Sequence, residues 1–275
     1  MQQDFKHYLI TRFNVPVKNW EKDKAGNKVL DQEWMEHRLH LFSQYCAPTI
    51  RIQTCTNFTW LIYCDINTES HFLEQVRSAI AGMNHAEIRL ADDFDGLLHD
   101  LRETILHLTT PYVISTRLDN DDGLSPDFIR NVQTHFRPQH RLILNFTKGV
   151  LYDAGHKVMT EIRRSLRNHY ASLIEMVTVD TIPLTVLGYP HGIPPATTEI
   201  LDLHHRWSWL KIIHDRNMAS KTNGWPLFNS HIADQFKLNR KLFPISFIST
   251  LVYIMTRSLS RIKRKWLPKK VSRPE

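Results

Sequence analysis

Several kinds of residue pattern are scarce or missing, and each absence narrows the reading. Cysteine occurs only at positions 46, 55 and 64, an odd count at nine-residue spacing. That matches neither a disulfide framework nor a zinc motif. Cys46, Cys55 and Cys64 therefore read as small apolar residues in a reducing, cytoplasmic compartment. No stretch approaches the roughly 20 apolar residues needed to span a bilayer. The first ten residues, MQQDFKHYLI, lack the basic, apolar and small-residue order of a secretory signal. Repeats and low-complexity linkers are also missing. The 275 residues are enough for one large domain or two small ones.

Charge is unevenly placed. From Arg257 to the end stand eight basic residues and one acid, which account for the whole net charge of +7. The remaining 27 basic residues balance 27 acids. A nucleic-acid-binding protein spreads such an excess over a folded face, so no nucleic-acid partner is expected. Before and within the basic end, Ile248, Leu251, Val252, Met255, Leu259, Ile262 and Trp266 fall on one helical stripe, and Arg257, Arg261 and Arg264 on another. This predicts an amphipathic helix for an anionic membrane surface. A helix packed on the domain with its basic residues solvated is the alternative. Residues 1–240 are expected to form the domain and 241–275 the tail.

The most informative stretch is Pro111–Leu124, PYVISTRLDNDDGL. Its apolar, β-branched half reads as a buried strand, and Asp119, Asp121, Asp122 and Gly123 read as the loop at its carboxyl end. Open α/β sheets bind ligands there. Carboxylates this crowded repel one another, and oxygen ligands suit a hard divalent ion such as Mg²⁺ or Mn²⁺. A plain Asp/Asn turn would carry the same residues. The calcium-loop pattern fails, because Gly123 is fifth from Asp119 and the distant Glu is missing.

Strands and helices alternate over the first two-thirds, the signature of an α/β domain with a largely parallel sheet. The pattern predicts strands at Tyr8–Thr11, Phe58–Cys64, Ala86–Leu90, Tyr112–Thr116, Arg141–Phe146 and Tyr170–Glu175. It predicts helices after Asp31, whose inner face carries Trp34, Leu39, Leu41, Phe42 and Tyr45, and over Ser70–Ala81, Asp95–Leu108 and Pro126–Phe136. Trp20–Asp31 reads as a surface loop. Asp65, at the end of an early strand, could hold a base or ribose or cap the next turn. His37 and His40, three apart on the helix after Asp31, could bind a metal, but with no third ligand nearby in sequence they read as exposed or hydrogen-bonded.

Several segments together resemble one family, the rhamnosyltransferases, which are bacterial glycosyltransferases of GT-A type. They are T-R-F-N at Thr11–Asn14, W-x-x-x-R-x-x-L-F at Trp34, Arg38, Leu41 and Phe42, and Pro48-Thr49 with Gln53. F-x-W-L-I follows at Phe58, Trp60, Leu61 and Ile62, and TRLDNDD at Thr116–Asp122. N-F-x-x-G at Asn145–Gly149, S-L-x-E at Ser172–Glu175, Pro190-His191 and W-L-x-x-x-H-x-x-N at Trp209–Asn217 complete the series. Thr49 stands where the family has Ser.

The resemblance implies a single Rossmann-like GT-A domain with a mostly parallel mixed sheet. It implies a nucleotide diphosphate sugar donor, with dTDP-rhamnose expected, and Mg²⁺ or Mn²⁺. Asp121 would bind the ion directly, Asp119 through water or by way of the ribose, and His214 as a late ligand. A hydrogen-bonded histidine ending an apolar run is the other reading of His214. Arg12, Phe13, Asp65, Arg117, Asp119 and Asn217 form the expected donor-binding set. For Arg117 a structural ion pair is the alternative. An inverting transfer needs a general base. Glu175 comes first, then Asp122 and His191, with Asp153 and Asp180 also open. The acceptor would be a lipid-linked or polysaccharide saccharide at the inner face of the cell membrane. A metal-dependent nucleotidyltransferase and a non-catalytic glycan- or membrane-binding module are the competing classes.

Overall fold

The computed structural model describes residues 4–18, 29–166, 168–178, 182–189, 193–216 and 222–266, the last eight by backbone alone. The predicted loop at Trp20–Asp31 lies mostly outside them.

The first strand, β1 (Phe5–Arg12), pairs in parallel with β2 (Thr59–Asp65) and β4 (Tyr112–Arg117), and β2 pairs in parallel with β3 (Ala86–Ala91). These strands read as continuous apolar runs because both faces are covered. Alternate residues go to opposite sides. Leu9, Trp60, Ile62 and Ile114 enter one core, and Ile10, Leu61, Tyr63 and Val113 the other. Helix α3 (Ser70–Ile80) closes the first face through Phe72, Val76 and Ile80, and α4 (Phe94–Leu106) closes the second through Leu97, Leu101 and Ile105. Both triplets have the four-residue spacing of one helix face.

Helix α1 (Gln32–Leu41) is capped as expected, with Asp31 accepting from the Trp34 amide at 2.9 Å. It runs through a π-turn at Phe42–Cys46 into α2 (Ala47–Arg51). The expected inner-face residues Trp34, Leu39, Leu41, Phe42 and Tyr45 are all buried.

After α5 (Phe128–Thr134) the chain departs from the single sheet the periodicity predicts. The main sheet has seven strands in the order β10-β6-β9-β4-β1-β2-β3. Here β6 is Leu142–Phe146, β9 is Ser172–Met176 and β10 is Glu199–Leu203. Only β9 runs antiparallel to its neighbours. A second sheet has the order β12-β8-β7-β11-β5, made of Trp225–Leu227, Val158–Ile162, Gly149–Asp153, Trp209–Ile213 and Gly123–Leu124. Gly149 is required there, because a Cβ would lie 2.1 Å from the Trp209 ring. Gly123 likewise sits against α2, where a Cβ would stand 3.0 Å from Thr49 Cγ2.

Phe243, beyond the expected boundary at 240, is buried between Tyr45 and Tyr152, with ring centroids 5.5 and 5.0 Å away. The last helix, α6 (Phe247–Trp266), starts after it. Thr250 on α6 is buried and Tyr253 donates to the Gly224 carbonyl at 3.0 Å, so the first turns of α6 pack on the body. Among the described residues no helix is long and apolar enough to cross a membrane.

Candidate active site

Parallel pairing of β1 and β4 brings Arg12 and Arg117 to one end of the main sheet. The Leu118 amide donates to the Ile10 carbonyl at 3.0 Å, and the chain then turns, closed by the Asp122 amide on the Asp119 carbonyl at 3.2 Å. It re-enters structure as β5, antiparallel to β11. The acidic loop is thus the junction between the two sheets, which is why its residues are so tightly held. Asn120 is buried and donates to the Phe13 carbonyl at 2.8 Å, tying the loop to the end of β1.

Each aspartate meets a different partner. Asp121 Oδ2 accepts from Arg38 Nη1 at 2.7 Å, and the same oxygen lies 2.9 Å from His214 Nε2. Burial pushes the Asp121 carboxyl up, but Arg38 and His214 outweigh it and hold it ionised. Asp119 is half-exposed and accepts from Arg117 Nε and Nη2 at 3.0 and 2.8 Å. Desolvation raises it, while Arg117, His169 and Arg12 lower it further, to well below the usual carboxylate range. Asp122 is buried; its oxygens accept from the Ile212 amide at 2.9 Å and the Tyr170 hydroxyl at 2.6 Å. Burial and the neighbouring Asp121 push its carboxyl up.

The expected metal trio Asp119, Asp121 and His214 divides accordingly. Asp121 and His214 meet. Asp119 instead groups with Asp122 and His169, whose potential ligand atoms lie within 4.8 Å of one another. A second such group is His37, His214 and Asp215. His37 Nε2 stands 3.2 Å from His214 Nδ1, so His214 lies between His37 and Asp121. Burial and the neighbouring His214 lower the His37 imidazole to about 4, which keeps it neutral and able to bind a cation. The fit to a divalent ion rests on this donor set of imidazole nitrogens beside ionised carboxylates. It suits Mn²⁺ better than Mg²⁺, which prefers oxygen alone.

Arg12 donates to the Val15 carbonyl at 3.0 Å, and burial lowers its guanidinium to about 10, with Arg117 and Arg38 acting in the same direction against Asp119. Three guanidiniums, Arg12, Arg38 and Arg117, thus stand around two ionised aspartates. The ion pair with Asp119 is what the structure contains for Arg117.

Five of the expected residues have structural partners. Glu175 pairs with Val113 at the amino end of β4, about 13 Å along the strand from Arg117. Its oxygens accept from the Leu184 and Thr185 amides at 2.9 and 2.8 Å, so it holds a turn and is remote from the aspartates. Asp122, buried with both oxygens bonded, fastens β11 to the loop and is not placed as a base. Phe13 belongs to the core, edge-on to Phe42 at 5.3 Å, and its carbonyl is taken by Asn120. Asp65 caps the following turn, accepting from the Asn67 amide at 2.8 Å. Asp153 accepts from the His156 amide at 2.9 Å and from Thr222, again a turn. His191, Asn217 and Asp180 lie outside the described residues.

Three participants have no role assigned from the sequence. Arg38 stands in the W-x-x-x-R motif, and a cation one turn after Trp34 on a helix's buried face is the available signal. His169 and Tyr170 give none, since only tertiary packing brings them to the loop; His37 is visible as a possible ligand, but its partner His214 is 177 residues away.

A family model described as "Putative rhamnosyl transferase" matches residues 6–225. No curated protein matches. Solved structures similar to the chain include residues 1–349 of S. aureus TarS in complex with UDP-GlcNAc, at 7% identity and TM-score 0.42, covering 78% of this chain and 60% of that one. HddC from Yersinia pseudotuberculosis complexed with GMP-PN matches at 8% identity and TM-score 0.34, over 72% of this chain and 90% of that one. The T. maritima inositol-1-phosphate CTP transferase matches at 8% identity and TM-score 0.33, over 86% and 96%. The chain thus spans 60% of the TarS fragment's length. The mostly parallel α/β sheet, with its acidic loop at the carboxyl end of β4, agrees with the GT-A type fold expected from the sequence motifs. With four-fifths of the chain matched, this protein belongs to the rhamnosyl transferase family of glycosyltransferases.

Proposed function

We propose that the protein transfers a deoxyhexose, rhamnose in the first instance, from a nucleoside diphosphate donor such as dTDP-rhamnose to a saccharide acceptor. One observation carries the reading. Arg12, Arg38 and Arg117 converge on Asp119 and Asp121 at the carboxyl end of β1 and β4, with His214 against Asp121.

The donor's diphosphate gains negative charge as the glycosidic bond breaks. Arg12 and Arg117 would suit such a group, since a guanidinium offers paired donors to phosphate oxygens. Arg117 also holds Asp119 in place for the ribose or for a metal-bound water. Arg38 fixes the Asp121 rotamer, and Asp122 fixes β11, so that His214 is presented to the loop. Asp121 and His214 would hold Mn²⁺ or Mg²⁺, with His37 alongside; when bound, the ion supplies positive charge to the leaving diphosphate. Of the expected bases, His191 and Asp180 remain the candidates that would take the acceptor's hydroxyl proton in an inverting transfer. The C-terminal helix would bring this site to an anionic membrane surface carrying lipid-linked saccharide in polysaccharide assembly.

Incubation with a panel of nucleotide sugars tests the reading. Metal-dependent release of nucleoside diphosphate from dTDP-rhamnose is expected. Turnover of a nucleoside triphosphate with no turnover of any nucleotide sugar would contradict it.

A further inference from the structure

The expected membrane contact was a tail. The folded body beside it also exposes large apolar side chains. Five residues on the first turns of α6 are exposed although large and apolar: Phe247 at 63%, Ile248 at 75%, Leu251 at 41%, Val252 at 52% and Met255 at 65%. They recur at three- and four-residue steps and share one helix face. Beside them, the β12 segment exposes Trp225 at 46% and Phe228 at 50%. The two sets are one surface. Phe228 and Phe247 have ring centroids 5.7 Å apart, and Tyr253 bonds the Gly224 carbonyl next to Trp225. Arg163 lies 4.9 Å and Arg257 5.7 Å from the Trp225 ring centroid, so guanidiniums border the apolar patch. Beyond Arg257 the sequence adds seven more basic residues before its end.

The geometry points to a composite docking face, built from α6 and the Trp225–Phe228 segment, whose occupant is an anionic phospholipid bilayer. Charge decides the occupant. An apolar face edged by Arg163 and Arg257 and continued by a polybasic segment matches acyl chains beneath anionic headgroups. Tryptophan beside arginine is also the pairing that suits the headgroup boundary, where an apolar ring meets polar surroundings. Because Tyr253 donates to the Gly224 carbonyl beside β12 and the Ser246 amide to the Lys157 carbonyl beside β8, α6 is held on the second sheet and the bilayer plane would be fixed relative to the catalytic domain. A flexible tether would leave it open. The inference deepens the proposed membrane location and rests on it for its biological use.

The full chain is mixed with phosphatidylglycerol vesicles and with phosphatidylcholine vesicles, and sedimented. Binding to the anionic vesicles is expected, weakened by salt. The Trp225→Ser/Phe228→Ser double variant should keep its melting temperature and lose about tenfold or more in vesicle partition, because two large side chains no longer enter the interface. Wild-type partition by that variant overturns the composite face. So does a wild-type protein that ignores anionic vesicles and forms dimers that the same substitutions dissociate. Hydrolysis of dTDP-rhamnose without vesicles is measured in parallel. Lost partition with intact hydrolysis in the double variant supports the face, whereas a wild-type protein that binds vesicles but hydrolyses no nucleotide sugar rejects only the transfer reading.

Discussion

Replacing Tyr170 with phenylalanine removes one oxygen and tests what Asp122 is for. The hydroxyl donates to Asp122 Oδ2 at 2.6 Å in a buried setting, while the ring stacks on Trp209 at 4.7 Å and 9°. Phenylalanine keeps the stack and deletes the bond. A hydrogen bond to a charged buried group contributes about 1.5–3 kcal/mol. Spread over 275 residues, at about 2.1 cal/mol/K each, that loss lowers the melting temperature by about 3–5 °C. Differential scanning calorimetry reads it directly.

The cycle with Asp122→Asn sharpens the test. Asparagine can still accept from the Ile212 amide through its oxygen, yet its NH₂ group has no lone pair for the Tyr170 hydroxyl. The two substitutions should therefore be non-additive, with a coupling of about 1–3 kcal/mol. Additive losses, or a Tyr170→Phe protein melting within about 1 °C of wild type, would refute the claim that Asp122 is a latch between loop and sheet.

Three further outcomes follow from the same geometry. His7 is buried and held down to about 3 by desolvation, so the fold refuses a proton that the unfolded chain accepts below about 6.5. Stability therefore falls as pH drops through that window, by about 2 kcal/mol from this residue between pH 7 and 5; urea titrations of His7→Gln should show a shallower pH slope than wild type, and parallel slopes would count against it. Removing Arg38, the buried partner of Asp121, should destabilise by about 3–5 kcal/mol, and added Mn²⁺ should raise the melting temperature of Arg38→Ala more than that of wild type; equal shifts would mean that the cation does not replace the guanidinium. Glu175→Gln should lower the melting temperature, because two backbone amides lose a charged acceptor, while donor turnover stays within about threefold of wild type. A hundredfold loss of turnover at unchanged stability would reinstate Glu175 as the base.

The parts of the fold legible in the sequence were those where local pattern and tertiary burial agree. The β1, β2 and β4 runs are apolar because both faces are covered, so composition alone marked them. The α1 cap at Asp31 was visible because capping is a local hydrogen bond. The second sheet was largely invisible. Val158–Ile162 and Trp225–Leu227, like Glu199–Leu203 at the edge of the main sheet, are short and partly exposed, so neither period stands out.

The site shows the same division. Thr116–Asp122 announced itself through crowded carboxylates. Which partner each aspartate takes was not legible, because Arg38, His169, Tyr170 and His214 reach the loop from 38 to 214 in the chain only when both sheets form. Glu175 illustrates the converse error: an acid at the end of an apolar strand looks catalytic until the antiparallel register shows which end it occupies.

Titration of Mn²⁺ in the presence of dTDP, followed by electron paramagnetic resonance, tests the central claim that Asp121 and His214 seat a cation for the donor's diphosphate. Wild type should bind one ion at this end of the sheet, and Asp121→Asn and His214→Gln should each weaken it about 100-fold or more. Equal affinity in all three proteins would contradict the account.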